Sequence, residues 1–359
     1  MAFQEDLMTK ASSSSWYLLW LRACMAGVFL MIAIGGFTRL SGSGLSIIEW
    51  KPIVGTLPPL SSTAWQEEFG KYNTSPEYQK VNFDISLRRF QFIYMVEYVH
   101  RLVGRLVGLI FLIPLAFFWI RRTLSQVQKR FFILLTLIGI SQGFMGWYMV
   151  KSGLVNDPMV NPTRLTAHLL IATVILILFY KEALQTLHVK KQPRTQHKEV
   201  SSTRRHPILS RIGFMVSICT LAYGGLVAGH KAGLIYNTFP LMNGAIFPSS
   251  EWQPALALGN LYKSPAIVQF VHRALALLTF AIGIILAMKN INLKTCVTRY
   301  GFFSSSLLLL ACLLLQLTLG ILTLIRSAPL SLALAHQLLG IIVVMLFFRI
   351  WFTQMKLKL

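Results

Sequence analysis

Four histidines lie inside long apolar stretches of the sequence, where an ionisable side chain is costly and is commonly functional. They form two pairs with matching neighbours, His100 with His168 and His272 with His336. Two imidazoles at similar depth on neighbouring helices can coordinate a planar metal cofactor from both faces, and haem iron accepts axial histidine ligands. Zinc is disfavoured, because no cysteine or carboxylate completes a tetrahedral set in either pair. The alternative is that each imidazole only fills space between helices.

Arginines accompany three of these histidines. Arg101 and Arg273 directly follow the first histidine of each pair, and Arg164 precedes His168 by one helical turn. Because a guanidinium pairs well with carboxylates, we expect the three arginines to bind haem propionates. Arg164 has a second interpretation, as an anchor that extends to the membrane surface.

A single acidic residue, Glu97, is predicted to lie well inside a span. It precedes His100 by three residues, on the same helical face, and its counterpart beside the second pair of histidines is Gln269. A reaction site needs a group that can move protons as well as two ligands. We therefore expect the first pair to form the reaction site and the second to hold a fixed cofactor. The alternative is a structural ion pair between Glu97 and Arg101.

The elements that carry these residues are predicted to be membrane-spanning helices. Of the 359 residues, 55% are hydrophobic and only 13% are charged, against about 25% charged in a soluble domain. A soluble enzyme, a disordered chain and a disulfide scaffold are therefore disfavoured. A span needs roughly 20 apolar residues, and the sequence contains eight such runs: Trp16–Phe37, Phe90–Ile120, Phe131–Val150, Thr166–Ala183, Ile212–Ala228, Ile267–Met288, Phe302–Ile325 and Leu332–Phe352.

The charge distribution predicts the orientation of these spans. A net charge of +22 would suggest a nucleic-acid partner in a soluble protein. Here the basic residues lie in short loops between apolar runs, so we expect membrane topology and no nucleic acid. The loops after the second, fourth and sixth spans hold most of them, which places both termini in the cytoplasm. The outer loop at 38–89 is long, and its Trp65–Lys80 stretch is predicted to form a surface helix.

The two halves of the sequence repeat each other. The matches are Gly35-Gly36 with Gly224-Gly225, YVHRLVGRL (98–106) with FVHRALALL (270–278), Gln142 and Gly146 with Gln316 and Gly320, and TAHLL (166–170) with LAHQLL (334–339). Each half has an even number of spans, so the halves are related by an axis along the membrane normal. We predict an all-α integral membrane protein with two repeat-related four-helix bundles, at 1–189 and 212–359, joined by a basic cytoplasmic linker at 190–211.

The chain resembles the haem A synthase family, in the form found in alphaproteobacteria and mitochondria, across essentially all eight spans. The motifs that carry the resemblance are GGFTRLSGSGLSIIEWKPIVGTLPP (35–59), EYVHR (97–101), NPTRLTAH (161–168), GGLVAGHKAGLIYNTFPLM (224–242), VHR (271–273) and LAHQ (334–337). The resemblance implies that haem O is the substrate and that its C8 methyl group is oxidised to a formyl group, giving haem A for terminal oxidases. It also implies a bound haem b with His272 and His336 as axial ligands.

The resemblance carries further expectations. The iron of the substrate haem would be bound by His100 and His168, with Glu97 required for turnover. Haem O synthase and an electron-transfer protein are candidate partners besides haem O and membrane lipid, and a homo-oligomer is left open. Some relatives carry a cysteine pair in an outer loop; this chain lacks it, so no thiol-based step is expected. The N-terminal segment lacks the features of a mitochondrial transit peptide, which favours a bacterial inner membrane.

Two functions from other classes remain as alternatives. One is a non-catalytic di-haem electron carrier resembling a membrane cytochrome b, which predicts two equivalent haem sites and no need for Glu97. The other is a transporter built from parallel repeats, which would leave the four histidines unexplained.

The distribution of basic loops makes the topology testable with reporter fusions. A fusion in the 190–205 loop should report a cytoplasmic location, and a fusion near Asn243 should report the outside, because basic loops are retained in the cytoplasm. The opposite pattern of reporter activity would contradict the eight-helix arrangement.

Overall fold

A computed structural model describes residues 15–50, 57–191, 206–247, 261–291 and 302–356, and within these ranges the fold is helical, without a β-strand. The helices are α1 (Ser15–Leu40), α2 (Ser62–Tyr72), α3 (Pro76–Lys80), α4 (Leu87–Ile120), α5 (Gln126–Ser152), α6 (Pro162–Lys191), α7 (Pro207–Gly229), α8 (Pro265–Ile291), α9 (Phe302–Ile325) and α10 (Leu330–Lys356). A short 3-10 helix, Ala232–Leu234, follows α7. Eight of the described helices are long and apolar enough to cross a membrane, which confirms the predicted number of spans.

Seven of the eight spanning helices extend beyond the predicted spans because their ends are polar, whereas α9 begins and ends as predicted. For α5, Ser125 accepts a hydrogen bond from the backbone N–H of Gln128, whose side chain accepts one from the backbone of Ser125. This capping box satisfies backbone donors at the helix start, about five residues before the apolar run begins. Ser86 caps α4 in a similar way. Hydropathy therefore locates the apolar centre of each helix and misses its capped end.

The predicted surface helix over Trp65–Lys80 is two helices. The structure breaks it after α2, and α3 begins at Pro76 with Ser75 as its cap. Proline has no N–H and disfavours a helical residue before it, so one continuous helix cannot form. Both pieces pack on the start of α4, where Tyr72 and Phe90 are fully buried. This packing ties the long loop to the helix that carries His100.

The chain divides into two compact units, Met1–Arg194 and Thr195–Leu359. In the first unit, α1 packs on α4 and α6, and α5 packs on α6. In the second, α7, α8, α9 and α10 form a closed ring of neighbouring contacts. Most of the predicted linker at 190–211 lies outside the described residues, and the roles assigned to the two halves stay predictions.

The expectation that Glu97 is the one acidic residue well inside a span is wrong. Helix α6 continues past the predicted end at Ala183, and it buries Glu182, which is 7% exposed. The Tyr17 hydroxyl donates to the Glu182 carboxylate at 2.6 Å, and the Gln128 amide donates to the same oxygen at 3.0 Å. A buried carboxylate is tolerated when it is hydrogen-bonded in this way. Glu182 therefore joins α1, α5 and α6.

Candidate functional site

Each intramembrane histidine of the first unit faces a glycine on a neighbouring helix. A Cβ added at Gly35 of α1 would lie 3.2 Å from Nε2 of His100, and one added at Gly146 of α5 would lie 3.0 Å from Cε1 of His168. Both distances are shorter than an ordinary van der Waals contact. The absence of a side chain at these two positions therefore makes room for the imidazole rings.

The second unit contains the same pairing of glycine with histidine. A Cβ at Gly224 of α7 would lie 3.2 Å from Cε1 of His272, and a Cβ at Gly320 of α9 would lie 2.9 Å from Cε1 of His336. We call the four contacts the Gly–His pairs. All four predicted ligand positions thus lie at helix–helix contacts, in two sets of two.

The imidazoles of His272 and His336 are spaced as two ligands of one metal. Their ring centroids are 6.4 Å apart and their planes are nearly perpendicular, at 88°. A metal–imidazole bond is about 2 Å long, so two rings that bind one ion from opposite sides have centroids roughly 6 Å apart. The residues present therefore fit a metal centre with two axial histidines.

One hydrogen bond orients the His272 ring, and another holds the backbone of His336. Nδ1 of His272 lies 3.1 Å from the backbone carbonyl of Thr220, which accepts its proton and leaves Nε2 with a free lone pair. Metal-binding histidines usually have such a second partner. On α10, the side-chain amide of Gln316 donates to the backbone carbonyl of His336 at 3.1 Å. Nδ1 of His336 is buried without a hydrogen-bond partner among the described residues.

The first unit also leaves buried polar atoms of its site unsatisfied, as the second unit does at Gln316 and His336. Nε2 of His168 lies 3.4 Å from the side-chain nitrogen of Gln142. In the described part of the chain, Nδ1 of His168 and Oε1 of Gln142 are buried without a hydrogen-bond partner. Such atoms are uncommon in folded proteins and need an explanation, and a bound polar or metal-containing group supplies one.

Glu97 holds the loop that follows α1, which we call the outer segment after its predicted side of the membrane. The side chain is 3% exposed, and its Oε2 accepts hydrogen bonds from the backbone N–H of Ser46 at 2.8 Å, the Ser46 hydroxyl at 2.7 Å and the backbone N–H of Ile47 at 3.0 Å. Its Oε1 accepts a hydrogen bond from Arg101 at 2.7 Å. Both carboxylate oxygens are therefore occupied.

Arg101 completes this anchor. Its guanidinium donates to the backbone carbonyls of Ile47 at 3.0 Å and Glu49 at 3.1 Å, in addition to Glu97. Farther out, Lys71 of α2 forms ion pairs with Glu49 and Glu68, whose hydrogen bonds raise the pKa of Lys71 above its usual value. Exposed pairs of this kind contribute little stability. The outer segment is therefore held mainly by Glu97 and Arg101.

In the second unit, Gln269 and Arg273 hold the outer segment after α7, with the opposite hydrogen-bond polarity. The Gln269 amide donates to the backbone carbonyls of Ala232 at 2.7 Å and Ile235 at 2.6 Å. Its oxygen accepts from Arg273 at 3.0 Å. Glu97 accepts hydrogen bonds from its segment, whereas Gln269 donates hydrogen bonds to its segment. The two residues occupy matching positions and are not chemically interchangeable.

Arg273 uses most of its guanidinium on this segment. It donates to the backbone carbonyls of Tyr236 at 2.7 Å and Thr238 at 2.9 Å. One buried N–H, at Nε, has no hydrogen-bond partner among the described residues. Arg164 instead donates to the carbonyl of Tyr148 at 2.9 Å, and its guanidinium carbon lies 3.6 Å from the centroid of the Tyr148 ring.

Sequence reasoning missed the residues that pair with Glu97. Ser46 and the backbone of Ile47 lie in a loop, about 50 residues away, and nothing in their type predicts that they bind a carboxylate. The available indication was the repeated segment after the first and fifth spans, SGLSIIEWKP (43–52) and AGLIYNTFP (232–240). Its recurrence showed that the segment matters without showing what it contacts.

Comparison with known proteins places this arrangement in a family. A family model described as COX15-CtaA, cytochrome oxidase assembly protein, matches residues 18–348. The chain belongs to the COX15-CtaA family. Curated relatives named Heme A synthase include those of Wolbachia pipientis wMel, 42% identical over 92% of both chains, and Rickettsia prowazekii, 41% identical over 90% of this chain and 93% of the relative. A third, from Neorickettsia sennetsu, is 42% identical over 91% of this chain and 95% of the relative.

Family membership and the eight apolar helices together identify a multi-pass protein of the bacterial inner membrane. This confirms the predicted family and location. The site assignments within the family fold rest on the geometry described above.

The opposite polarity of the two anchors gives a stability prediction. Gln269→Glu should place a carboxylate oxygen against the carbonyls of Ala232 and Ile235, which cannot donate to it. We expect the variant to lose about 1–3 kcal/mol of stability, measured as a lower thermal unfolding midpoint in detergent and as faster proteolysis of the outer segment. Gln66→Glu, at an exposed position of α2, introduces the same charge as a control. Equal unfolding midpoints for the two variants would contradict the anchor.

Proposed function

We propose that this chain is a haem A synthase, which oxidises the C8 methyl group of haem O to the formyl group of haem A. The observation that carries the proposal is the set of four Gly–His pairs, two in each compact unit of a protein whose family relatives are named Heme A synthase. The relatives' name is that of an enzyme, which favours this function over a non-catalytic di-haem electron carrier.

The second unit is assigned to haem b. His272 and His336 would hold the iron of haem b, as their 6.4 Å ring separation supports. Haem ligated in this way supplies one-electron redox chemistry. The free N–H at Nε of Arg273 is a donor suited to a propionate. The protein's own contribution is to orient the His272 ring through Thr220, to hold the His336 backbone through Gln316, and to keep both rings in an apolar environment.

The first unit is assigned to the substrate. His100 and His168 would bind the iron of haem O, and Arg101 and Arg164 would bind its propionates with the N–H groups that remain. Two successive two-electron oxidations, with water as the oxygen source and the proposed electron-transfer partner as the electron acceptor, would convert the methyl group to an alcohol and then to a hydrated aldehyde, which loses water to give the formyl group. Each oxidation also releases protons, so the site needs a group that accepts them.

Glu97 is the proposed proton acceptor. Its place on the His100 face supports this role, and the Ser46 hydroxyl at 2.7 Å gives its carboxylate an exchangeable proton partner. The same carboxylate anchors the outer segment, so the two roles must be separated by experiment. Proton transfer would require one of its four hydrogen bonds to open.

The finer architecture also belongs to the proposal. Matching Gly–His pairs and matching outer anchors support an internal repeat of two four-helix bundles, and the basic loops support cytoplasmic termini. Haem O synthase, an electron-transfer partner and self-association remain proposed interactions.

Removing the ligands of the second unit tests the haem b assignment. His272→Ala or His336→Ala should abolish the low-spin haem b absorption, because one axial ligand is lost. His100→Ala and His168→Ala should retain most of it. Difference spectra of the purified proteins measure this directly. Loss of haem b in the first-unit variants, with retention in the second-unit variants, would reverse the assignment.

Comparing two changes at one contact separates proton transfer from anchoring. Glu97→Gln keeps an oxygen for Ser46 and Ile47 but cannot carry a proton, so haem A formation should fall by about 10²–10⁴-fold while haem O or a hydroxylated intermediate accumulates. Ser46→Ala removes one hydrogen bond and leaves the carboxylate, so it should lower haem A far less. Extracted haems, resolved by chromatography, provide the measurement. Normal haem A in Glu97→Gln, or equal losses in both variants, would refute proton transfer.

A further inference from the structure

The first unit has an open seam between two of its spanning helices. Helices α4 and α5 make sparse contact, whereas α8 and α9, which occupy the matching places in the second unit, pack closely together. The two units also differ in the side chains along this seam.

In the second unit, leucine and glycine interlock across the seam. Leu313 of α9 is 3% exposed, and its Cδ1 occupies the space that a Cβ at Gly283 of α8 would need. Such close packing of a large side chain against a glycine brings two helices together. Phe280 of α8 adds bulk one turn away on the same side.

In the first unit, glycines stand at three seam positions where the second unit has large residues, while Phe111 stands where the second unit has Gly283. Aligning the two halves on their Gln-x-x-x-Gly segments and their Val-His-Arg segments gives Gly108, Gly139 and Gly143 where the second half has Phe280, Leu313 and Leu317. A Cβ added at any of the three glycines would meet no atom within 4 Å. We call the space along these residues the glycine groove. Gly139 and Gly143 are exposed, so the groove is accessible from outside the protein.

The two ends of the glycine groove differ in chemistry. At one end, Oε1 of Gln142 and Nδ1 of His168 are buried without a hydrogen-bond partner in the described ranges. At the other, the Phe111 and Phe132 rings close the seam with centroids 6.4 Å apart. Helix α5 rises about 21 Å between Phe132 and Gly146, at 1.5 Å per residue. The glycine groove therefore extends from the proposed substrate ligands towards this pair of aromatic rings.

We infer that the glycine groove holds the isoprenoid tail of haem O. The inference rests on the proposed function. Haem O carries a hydroxyethylfarnesyl chain where haem b has only a vinyl group, so a site for haem O needs an apolar channel that a site for haem b does not. The unit with the groove is the one that holds Glu97, and the unit with the closed seam is the one whose histidines are spaced for a resident haem. An opening on the outer surface also lets a lipid-soluble substrate enter from the bilayer.

Filling the groove with the second unit's own residues tests the inference. Gly139→Leu and Gly143→Leu imitate Leu313 and Leu317. Ser141→Leu is the matched control, because it imitates Leu315 at an exposed position on the other side of α5. Each protein, purified with its resident haem, is titrated with haem O and separately with iron protoporphyrin IX, which has no tail.

The inference requires that the groove variants bind haem O more weakly and bind iron protoporphyrin IX as the wild type does. In the groove variants the apparent Kd for haem O should rise by roughly tenfold or more, the effect of displacing about two methylene groups, while the Kd for iron protoporphyrin IX should stay at the wild-type value. Ser141→Leu should change neither. If the leucine variants do not accumulate, Gly139→Ala and Gly143→Ala, whose added carbons meet no neighbour, should show the same preference on a smaller scale.

Other outcomes would overturn the inference. Unchanged haem O affinity in the groove variants would mean that lipid, or another helix, fills the seam. Equal weakening of both haems would mean that the groove supports the ring site and not the tail. Haem A production by the wild-type protein is scored in parallel: its absence would refute the proposed function, whereas its presence with tail-independent binding would refute the groove alone.

Discussion

The close approach of a helix backbone to an imidazole ring is the constraint on which the rest of the structure depends. At each of the four Gly–His pairs, a single added carbon would lie between 2.9 and 3.2 Å from a ring atom. Any larger residue would push the helices apart or turn the ring away, because packed interiors have little spare volume. The glycines thus set which helices pair, and the pairing sets where four costly polar groups lie in an apolar protein.

The outer anchors extend this arrangement to the membrane surface. In each unit, a residue one turn before the histidine and an arginine just after it bind the segment that follows the preceding helix. The second unit uses a neutral amide for this purpose, whereas the first uses Glu97. A buried carboxylate needs several hydrogen bonds to be tolerated. The first unit buries a carboxylate at the position where an amide suffices in the second unit. This difference is the strongest structural reason to propose the reaction site in the first unit.

Much of this was predictable from the sequence, for physical reasons. Long apolar runs have few alternatives to spanning helices, so the eight spans and the placement of the four histidines follow. Helix ends depend on individual polar caps, which hydropathy does not register, and so α5 and α6 were predicted too short. Glu182 falls at the end of the predicted run Thr166–Ala183, and the longer observed helix places it farther from the helix end. Pro76 could have divided the surface helix at the sequence level. The contacts of Ser46 with Glu97 depend on how a loop folds back onto α4, which the sequence does not reveal. The sparse contact between α4 and α5 depends on which glycines lie along their interface.

The EPR spectrum of the ferric wild-type protein tests the central claim most directly, because it reports the axial ligands and the angle between them. The imidazole planes of His272 and His336 are nearly perpendicular, at 88°, and a haem held by such a pair gives a highly anisotropic low-spin spectrum dominated by one low-field feature. Our account predicts this spectrum for the haem that copurifies with the protein. A purely high-spin spectrum, or a rhombic low-spin spectrum typical of parallel imidazole planes, would contradict it.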